Sequence, residues 1–557
     1  MVPQAEAGYS FANSCAQNKR CGVSFQCAFL PLGKQGMLNS RFEEVMPREV
    51  KAMAFAIGIL GIVWVLSEWI ITNNTTNLIL GAVVAVGCVF LVATSNDWRN
   101  GVYVFLGWLV FEDLIRKFVG NSTYMFFAKD IIIGVTYLAM LRALQRRKLL
   151  VFKPPFLLWL VVFFGFGLIQ AANPNSPSVL YGLLGLKLYF YYVPLMFAGY
   201  ALLRTENDLH KILIFNTAIG VVVAGLGIVQ SVLGLSFLNP ADLAPDLQTL
   251  GHDVRYSPIT HLEVQRGTSV YVSEGRYAQS LILFFILGCG TAGYLLMRTK
   301  QGRKLVFPAL AVTTLATIMA GVRGSFVAVI ASIFALTAGM LWGAPWRLGR
   351  RLRMGRTIRL ALVGLALAIG TMFLLAPDAI NARLALYSET LLPGSTSSDL
   401  GYRAWDYPVK ALTDVFSQPN WQLGNGIGTA SLGTQYVSRA LDEAPPKIGA
   451  ESGYGAIILE FGIIGPVVWT LWTVALLISA WKVVRKLRHT TFFPIAFAIF
   501  WYMIYVLGLC SFYGIATYQD YLPNAYLWLS VGMLFRMPGL LAEQKQRENT
   551  SNAPARS

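Results

Sequence analysis

The sequence is short of charge and of polar–apolar alternation, and each shortage excludes one class of protein. Only 13% of its 557 residues are charged, whereas 55% are hydrophobic. A soluble globular domain carries roughly 25% charged residues. The sequence also lacks the alternation of polar and apolar residues that marks an outer-membrane barrel. A soluble domain and a barrel are therefore excluded, and a helical membrane protein remains.

Cysteine and histidine are scarce as well, with six and four residues. Cys15, Cys21 and Cys27 stand close together near the amino terminus, where they could hold a metal ion. No histidine accompanies them, and this region should face a reducing compartment. We therefore predict neither a metal site nor a cofactor.

Long apolar runs recur along nearly the whole chain. Runs of about 18 or more residues can cross roughly 30 Å of hydrocarbon as helices. About fourteen spans fit these runs: 50–72, 77–95, 101–119, 124–141, 154–172, 178–201, 211–235, 277–297, 305–321, 325–343, 360–376, 454–480, 492–512 and 522–538. We therefore predict an all-α, polytopic transmembrane helix bundle over 50–538, between cytoplasmic tails 1–49 and 539–557.

The formal charge of +17 is explained by short basic loops rather than by a nucleic-acid surface. Lysine and arginine are rare in the alternate loops, and this asymmetry places the basic loops in the cytoplasm. The basic clusters are at 142–148, 298–304, 347–359 and 482–488. We expect membrane lipids as partners and no nucleic acid.

Two connections, 236–276 and 377–453, are too long to be simple turns, and both fall on the outer side. Each contains Trp, Tyr, Gly and paired charges rather than a low-complexity composition. Long loops of this kind usually carry function, so we predict two folded caps. No internal repeat supports the architecture of a secondary transporter.

Arg323 is the only charged residue between Lys304 and Arg347. In this topology it lies in a hairpin, "GVRGS", at the outer surface. One interpretation is an arginine whose charged end reaches for the lipid headgroups. The alternative is an anion site, because the flanking glycines expose the backbone at the positive start of the next helix.

Further arginines are expected at the same level of the membrane. Arg276 follows a glycine in "EGRYAQ", near the start of a span, and Arg403 lies with Trp405 and Asp406 on a short amphipathic helix. The Gly-rich turn "LGNGIGTA" at 423–430 is a weak phosphate signal. Several arginines together are a stronger one, because guanidinium groups suit the paired oxygens of a pyrophosphate.

Two glutamates and a ring of charged residues complete the outer side. Glu451 is either a helix cap or a catalytic carboxylate, whereas Glu460 is expected to be buried and hydrogen-bonded. The charged ring is expected to form structural ion pairs. Its members are Asp113, Arg116, Lys117, Lys129, Asp130 and Lys187.

The order of these motifs resembles the O-antigen ligase and O-antigen polymerase superfamily. "VRGSF", "RAWDYPVKAL", "LGNGIGT" and "ESGYGAIILEFGIIG" follow one another as the corresponding motifs do in that family, over about residues 300–470. The resemblance implies a GT-C-like glycosyltransferase in the bacterial inner membrane. It would use a glycan on undecaprenyl pyrophosphate as donor, on the periplasmic side, without a nucleotide sugar or a metal.

Carried over by position, Arg323 and Arg403 would hold the donor pyrophosphate, and Arg276 would join them. Glu451 is our own candidate for the catalytic base. Substrate-binding roles are predicted for five further residues, Arg276, Arg266, Trp405, Asp406 and Lys187.

One departure from the family pattern bears on the acceptor. The ligases commonly have a His-Asn pair where this chain reads "AESGYG", with Glu451 at the place of the histidine. This favours a polymerase of exopolysaccharide or O-antigen repeats, with a chain-length regulator as a further partner. A ligase acting on lipid A core is the alternative within the family. A polysaccharide transporter or lipid-glycan flippase is the alternative of another class, and it would place its charges around a cavity at the membrane midplane.

Overall fold

The computed structural model describes residues 97–119, 123–146, 150–239, 254–298, 303–345, 369–392 and 400–551, with isolated positions within 87–94 and 359–367. The predicted tail 1–49, its three cysteines and the predicted span 50–72 lie outside the described residues. Almost all of the predicted span 77–95 lies outside them as well, whereas most of the predicted span 360–376 is described.

The first half of the described chain is helical apart from one short hairpin. Its elements are α1 (Trp98–Val119), α2 (Thr123–Gln145), α3 (Leu157–Ala171), α4 (Val179–Phe190), α5 (Leu195–Leu202), α6 (Glu206–Leu233), β1 (Val254–Tyr256) and β2 (Glu263–Gln265). The two strands pair in antiparallel fashion. Local sequence sets the ends of α6, because Thr205 and Asp208 form a capping box at its start and Gly234 ends it with a φ of 98°.

The second half is helical as well. Its elements are α7 (Glu274–Arg298), α8 (Arg303–Met319), α9 (Arg323–Gly343), α10 (Pro377–Leu391), α11 (Tyr407–Thr413), α12 (Thr434–Leu441), α13 (Gly453–Phe461), α14 (Gly465–Lys486), α15 (Phe493–Ile504), α16 (Cys510–Tyr513), α17 (Ala516–Gln519) and α18 (Tyr521–Ser551). Two π-helical turns, Tyr402–Asp406 and Tyr505–Leu509, and one 3₁₀ turn, Asp414–Ser417, connect some of them.

In the part of the chain that the structure describes, seven helical segments are long and apolar enough to cross a membrane. They are Val179–Leu202, Glu206–Leu233, Glu274–Met297, Arg323–Gly343, Gly465–Lys486, Phe493–Tyr513 and Tyr521–Gln546. Two shorter apolar helices, Leu157–Ala171 and Leu305–Met319, accompany them. The prediction of a helical protein is confirmed, and its apolar helices indicate a multi-pass membrane protein.

Two of the predicted spans are interrupted by non-helical residues. The span predicted at 178–201 is interrupted by a turn at 191–194, between α4 and α5. The span predicted at 454–480 is divided at Gly462, whose φ of 75° no helix can contain. Consequently α13 is a separate short helix, and the transmembrane segment begins only at Gly465.

Burial distinguishes central from peripheral helices. In the most apolar window of α7, 89% of the residues are buried, against 28% in α9. The helix α7 therefore lies inside the bundle, whereas α9 exposes most of its surface, as expected for a helix that faces lipid. Helices α5 and α18 pack so closely that a Cβ at Gly199 would lie 2.1 Å from the carbonyl oxygen of Leu529.

The two long connections meet the bundle at one end, here called the capped end. Arg276, near the start of α7, pairs with Asp113, near the end of α1. Arg116 of α1 also donates to Tyr436, which belongs to the long connection before α13, at 3.2 Å.

Basic residues mark the other end of several of these helices. Arg142 stands in the last turn of α2, and Arg485 stands in the last turn of α14. The backbone N–H of His489, just after α14, donates to the carbonyl of Gly343 at the end of α9, at 2.7 Å. The end of α9 that is opposite to Arg323 therefore lies next to the basic residues at the end of α14.

Candidate functional site

A network of buried ion pairs lies at the capped end. Asp113 is fully buried and accepts hydrogen bonds from Arg116 at 3.1 Å and from Arg276 at 2.9 Å. Arg276 also pairs with Asp520 at 3.2 Å and lies 4.7 Å from the ring centroid of Tyr521. Two carboxylates thus surround Arg276, and its charge is neutralised within the protein.

The charged ring expected at this level consists largely of such pairs. Lys129 donates to Glu112 at 2.8 Å, and both side chains are buried. Lys187 pairs with Asp130 at 2.5 Å and lies 4.7 Å from the ring centroid of Phe127. The expectation of structural ion pairs is confirmed for these residues. Glu112 was absent from the predicted ring, although a carboxylate beside Asp113 in an apolar helix is itself a signal.

Arg266 connects the β1–β2 hairpin to the hairpin that carries Arg323. Its guanidinium pairs with Glu274, the first residue of α7, at 2.9 Å. Its side chain packs beside Gly321, where a Cβ would lie 3.4 Å from Cγ of Arg266. Arg266 therefore packs against Gly321, which precedes the predicted catalytic arginine by two residues.

Arg323 is the first residue of α9 and is half-buried. Gly321 has a φ of 70° and turns the chain from α8 into α9. The N-cap residue Val322 forms no side-chain capping bond to the N–H groups of the first turn, and Gly324 faces open space. This arrangement suits an anion at the helix start, which is one of the two interpretations of the sequence.

Glu451 lies in a polar groove of about 360 Å³ at the capped end. Tyr407, Lys410 and Asp414 line one side, because residues three and four apart share one face of a helix. Tyr402, on the preceding π-helical turn, extends this side. The hydroxyl of Tyr407 donates a hydrogen bond to the Glu451 carboxylate.

Other predicted residues lie beside the groove rather than in it. Trp405 is 66% exposed and approaches Phe512, with ring centroids 5.9 Å apart. Asp406 is exposed. The backbone of Arg403 belongs to the same π-helical turn, whereas its side chain lies outside the described part of the structure. Neither Trp405 nor Asp406 is among the described residues that line the groove.

The Gly-rich turn is buried against the protein, and this corrects the interpretation that it accommodates a ligand. Gly424, Gly426 and Gly428 all have positive φ angles, between 85° and 95°. A Cβ at Gly428 would lie 2.0 Å from the carbonyl oxygen of Tyr181, so these glycines allow close contact with α4. The intervening N–H of Asn425 donates to the carbonyl of Leu459 at 2.7 Å. The turn therefore binds protein backbone rather than a phosphate.

Glu460 anchors the end of this turn through hydrogen bonds. It is fully buried, as expected, and accepts hydrogen bonds from Tyr189 at 2.8 Å and from Ser431 at 2.5 Å. Gln519 joins the same network, donating to Tyr189 at 3.0 Å and to Ser431 at 2.8 Å. Gln519 and Tyr189 could not be singled out from the sequence, because a lone Gln in a short connection and a lone Tyr in an apolar run carry no spacing signal.

Within the described ranges, no three His, Cys, Asp or Glu side chains group so as to hold a metal ion. Comparisons with models of protein families, with curated proteins and with solved structures find no match to this chain.

Proposed function

We propose that this protein is a lipid-carrier-dependent glycosyltransferase of the O-antigen polymerase type. It would join oligosaccharide repeats carried on undecaprenyl pyrophosphate into an exopolysaccharide or O-antigen. The observation that carries the proposal is the groove at the capped end, where the Glu451 carboxylate faces open space beside Tyr407 and Lys410. The order of the motifs around these residues supports it.

The capped end would face the periplasm of a bacterium, with the bundle in the inner membrane. The positions of Arg142 and Arg485 support this orientation, because basic residues concentrate on the cytoplasmic side of membrane proteins. A groove at one end of the bundle suits an enzyme that acts on one face of the membrane. A transporter or flippase instead needs a cavity that opens to both sides.

In the proposed reaction, a sugar hydroxyl of one lipid-linked repeat attacks the anomeric carbon of another. A new C–O glycosidic bond forms, and the bond from the anomeric carbon to the pyrophosphate oxygen breaks. The electron pair leaves with undecaprenyl pyrophosphate, and the hydroxyl proton passes to Glu451. A single displacement inverts the anomeric configuration. Tyr407 orients the Glu451 carboxylate towards the acceptor.

Negative charge grows on the departing pyrophosphate, and arginines would stabilise it. Arg323 and Arg403 are the proposed donors to this charge, and no metal is needed. Arg276 would contribute less charge, since Asp113 and Asp520 already neutralise it. Its proposed role is to hold the start of α7 beside the pyrophosphate.

The remaining predicted residues would bind substrate around this centre. Lys187 and Arg266 are each engaged in an ion pair, so a phosphate oxygen would share these cations with Asp130 and Glu274. Trp405 and Asp406 are exposed beside the groove. They would contact the lipid-linked glycan as it enters.

The experiment that tests this function uses the purified full-length protein in lipid nanodiscs, with lipid-linked repeats and no nucleotide. Long glycan chains and released undecaprenyl pyrophosphate are expected from the wild type and neither from Glu451→Gln. Adding lipid A core separates the alternatives, because a ligase would label the core instead of lengthening chains. If proteoliposomes move the lipid-linked repeats across the bilayer without forming a glycosidic bond, the enzyme proposal is wrong.

A further inference from the structure

Arg383 is a buried arginine in α10 whose described partners are all backbone carbonyls. It is 2% exposed. Its Nε donates to Met319 at 2.6 Å, its Nη2 to Gln265 at 2.8 Å and its Nη1 to Ala379 at 2.7 Å. A buried guanidinium is costly to keep from water unless its donors are satisfied. Because of this cost, we expect the buried guanidinium of Arg383 to have a structural role.

The three carbonyls belong to three different segments. Ala379 is in α10 itself, Gln265 is the last residue of β2, and Met319 is the last residue of α8. The carbonyls at the end of a helix have no partner within that helix. Arg383 supplies this partner at the end of α8, two residues before Gly321 turns the chain towards Arg323.

Tyr387 contacts both helices of the hairpin that carries Arg323. Its hydroxyl donates to the carbonyl of Ile318 in the last turn of α8, at 3.0 Å. Its ring stacks on Phe326, with centroids 4.5 Å apart and planes 5° apart. Phe326 lies in α9, three residues after Arg323. Consequently Arg383 and Tyr387 together contact the chain both before and after Arg323.

The last turn of α10 is fixed independently, against the tip of the β1–β2 hairpin. Glu389 accepts hydrogen bonds from the N–H of Ile259 at 2.7 Å and from the hydroxyl of Thr260 at 2.7 Å. This contact does not involve the hairpin between α8 and α9, so Glu389 provides a control within the same helix.

We propose that Arg383 is a positioning residue that sets the direction of Arg323 towards the pyrophosphate. This inference rests on the proposed function, since it assigns Arg323 to the leaving group. A guanidinium has five N–H donors in one plane and can join three segments at once. A lysine at the same position keeps the charge but cannot reproduce this geometry. Geometry rather than charge is therefore the expected contribution.

The structural part of the proposal is tested by hydrogen–deuterium exchange of the full-length protein in nanodiscs. Arg383→Gln and Arg383→Lys should both speed exchange in a peptide covering 316–326, while a peptide within α14 stays unchanged. Glu389→Gln should speed exchange at 257–262 only. Unchanged exchange at 316–326 in both Arg383 variants would overturn the proposal. This result does not depend on any catalytic assay.

The catalytic part is tested by kinetics of glycan transfer, normalised to correctly folded protein. Displacement of a catalytic group by about 1 Å can cost on the order of 100-fold in rate. We expect both Arg383 variants to lower kcat by at least about tenfold, with KM for the donor changed by less than about twofold. Full rescue by Arg383→Lys would overturn the assignment to geometry. Should Arg383→Gln not fold, Tyr387→Phe removes one bond to the same helix end and should lower kcat in the same way.

The two proposals fail in different ways. If the wild type transfers no glycan, the proposed function is wrong, and the exchange experiment still decides whether Arg383 holds the hairpin. If the wild type is active and the Arg383 variants retain its kcat, only the positioning role is wrong.

Discussion

The hydroxyl of Tyr407 donates a hydrogen bond to the carboxylate of Glu451, which is 44 residues further along the chain. The two residues belong to different elements, since Tyr407 begins α11 and Glu451 precedes α13. Their contact closes one side of the polar groove. Within the described part of the chain, the Tyr407 hydroxyl is the group that orients this carboxylate, which remains open to the groove.

Tyr407→Phe tests this orientation directly. A hydrogen bond to a charged group contributes about 1.5–3 kcal/mol. Because this bond is exposed, we expect an effect at the lower end of this range, a fall of about tenfold in kcat for glycan transfer. The ring remains, so the shape of the groove is kept. Tyr513→Phe is the matched control, because this hydroxyl donates to the carbonyl of Ala404 outside the groove. Equal kcat for Tyr407→Phe and the wild type would remove Tyr407 from the mechanism.

Arg323→Gln tests the proposed contact with the leaving group. Removal of one donor to a developing negative charge typically costs about 3 kcal/mol, or on the order of 100-fold in kcat. We expect a loss of this size, measured as undecaprenyl pyrophosphate released from lipid-linked repeats. Arg142→Gln, at the opposite end of the bundle, should leave the rate unchanged. An Arg323→Gln protein as active as the wild type would favour the alternative that this arginine only contacts headgroups.

The contact of Glu389 with residues 259–260 predicts a pH-dependent stability. Burial raises the pKa of Glu389, but the hydrogen bonds from Thr260 and Ile259 outweigh it and hold the pKa below its usual range. A carboxylate with a lowered folded-state pKa stabilises the protein above its unfolded pKa, about 4.3. This contribution is lost as the pH falls through the folded pKa.

We therefore expect Glu389→Gln to lower the Tm at pH 7 and to differ less from the wild type as the pH falls below about 4. Thermal unfolding of both proteins across this range measures the difference. A Tm difference that stays constant from pH 7 to pH 3 would show that the charge of Glu389 is not involved.

Gly428→Ala tests the packing of the Gly-rich turn. The φ of Gly428 is 91°, and a Cβ there would lie 2.0 Å from the carbonyl oxygen of Tyr181. Backbone strain and overpacking together should cost roughly 3 kcal/mol or more, seen as a lower Tm and a lower yield of folded protein. Gly225→Ala is the control, because a Cβ there meets no atom within 4 Å. A stable Gly428→Ala protein would contradict the buried packing of this turn.

Much of the secondary structure could be predicted from the sequence, and the site only in part. Apolar runs predict α6, α7 and α9 within a few residues, because a helix that crosses a membrane must be long and apolar throughout. The pairing of Lys187 and the burial of Glu460 could also be anticipated, since a charge in an apolar run needs a partner.

The division of the chain at Gly462 could not be predicted in the same way. A glycine is tolerated within a transmembrane helix, and only the contact with neighbouring backbone shows that this one ends α13. A Cβ at Gly462 would lie 2.5 Å from the carbonyl oxygen of Gln422.

By itself, the sequence determined the helical class, the apolar spans and the segregation of basic residues, because these depend on composition and on contacts within one segment. The tertiary structure alone decided which residues meet. It joined Tyr407 to Glu451 and Arg383 to the end of α8, and it placed the Gly-rich turn against α4. The physical reason is that these contacts link segments far apart in the chain, and only the packing of the whole bundle selects their partners.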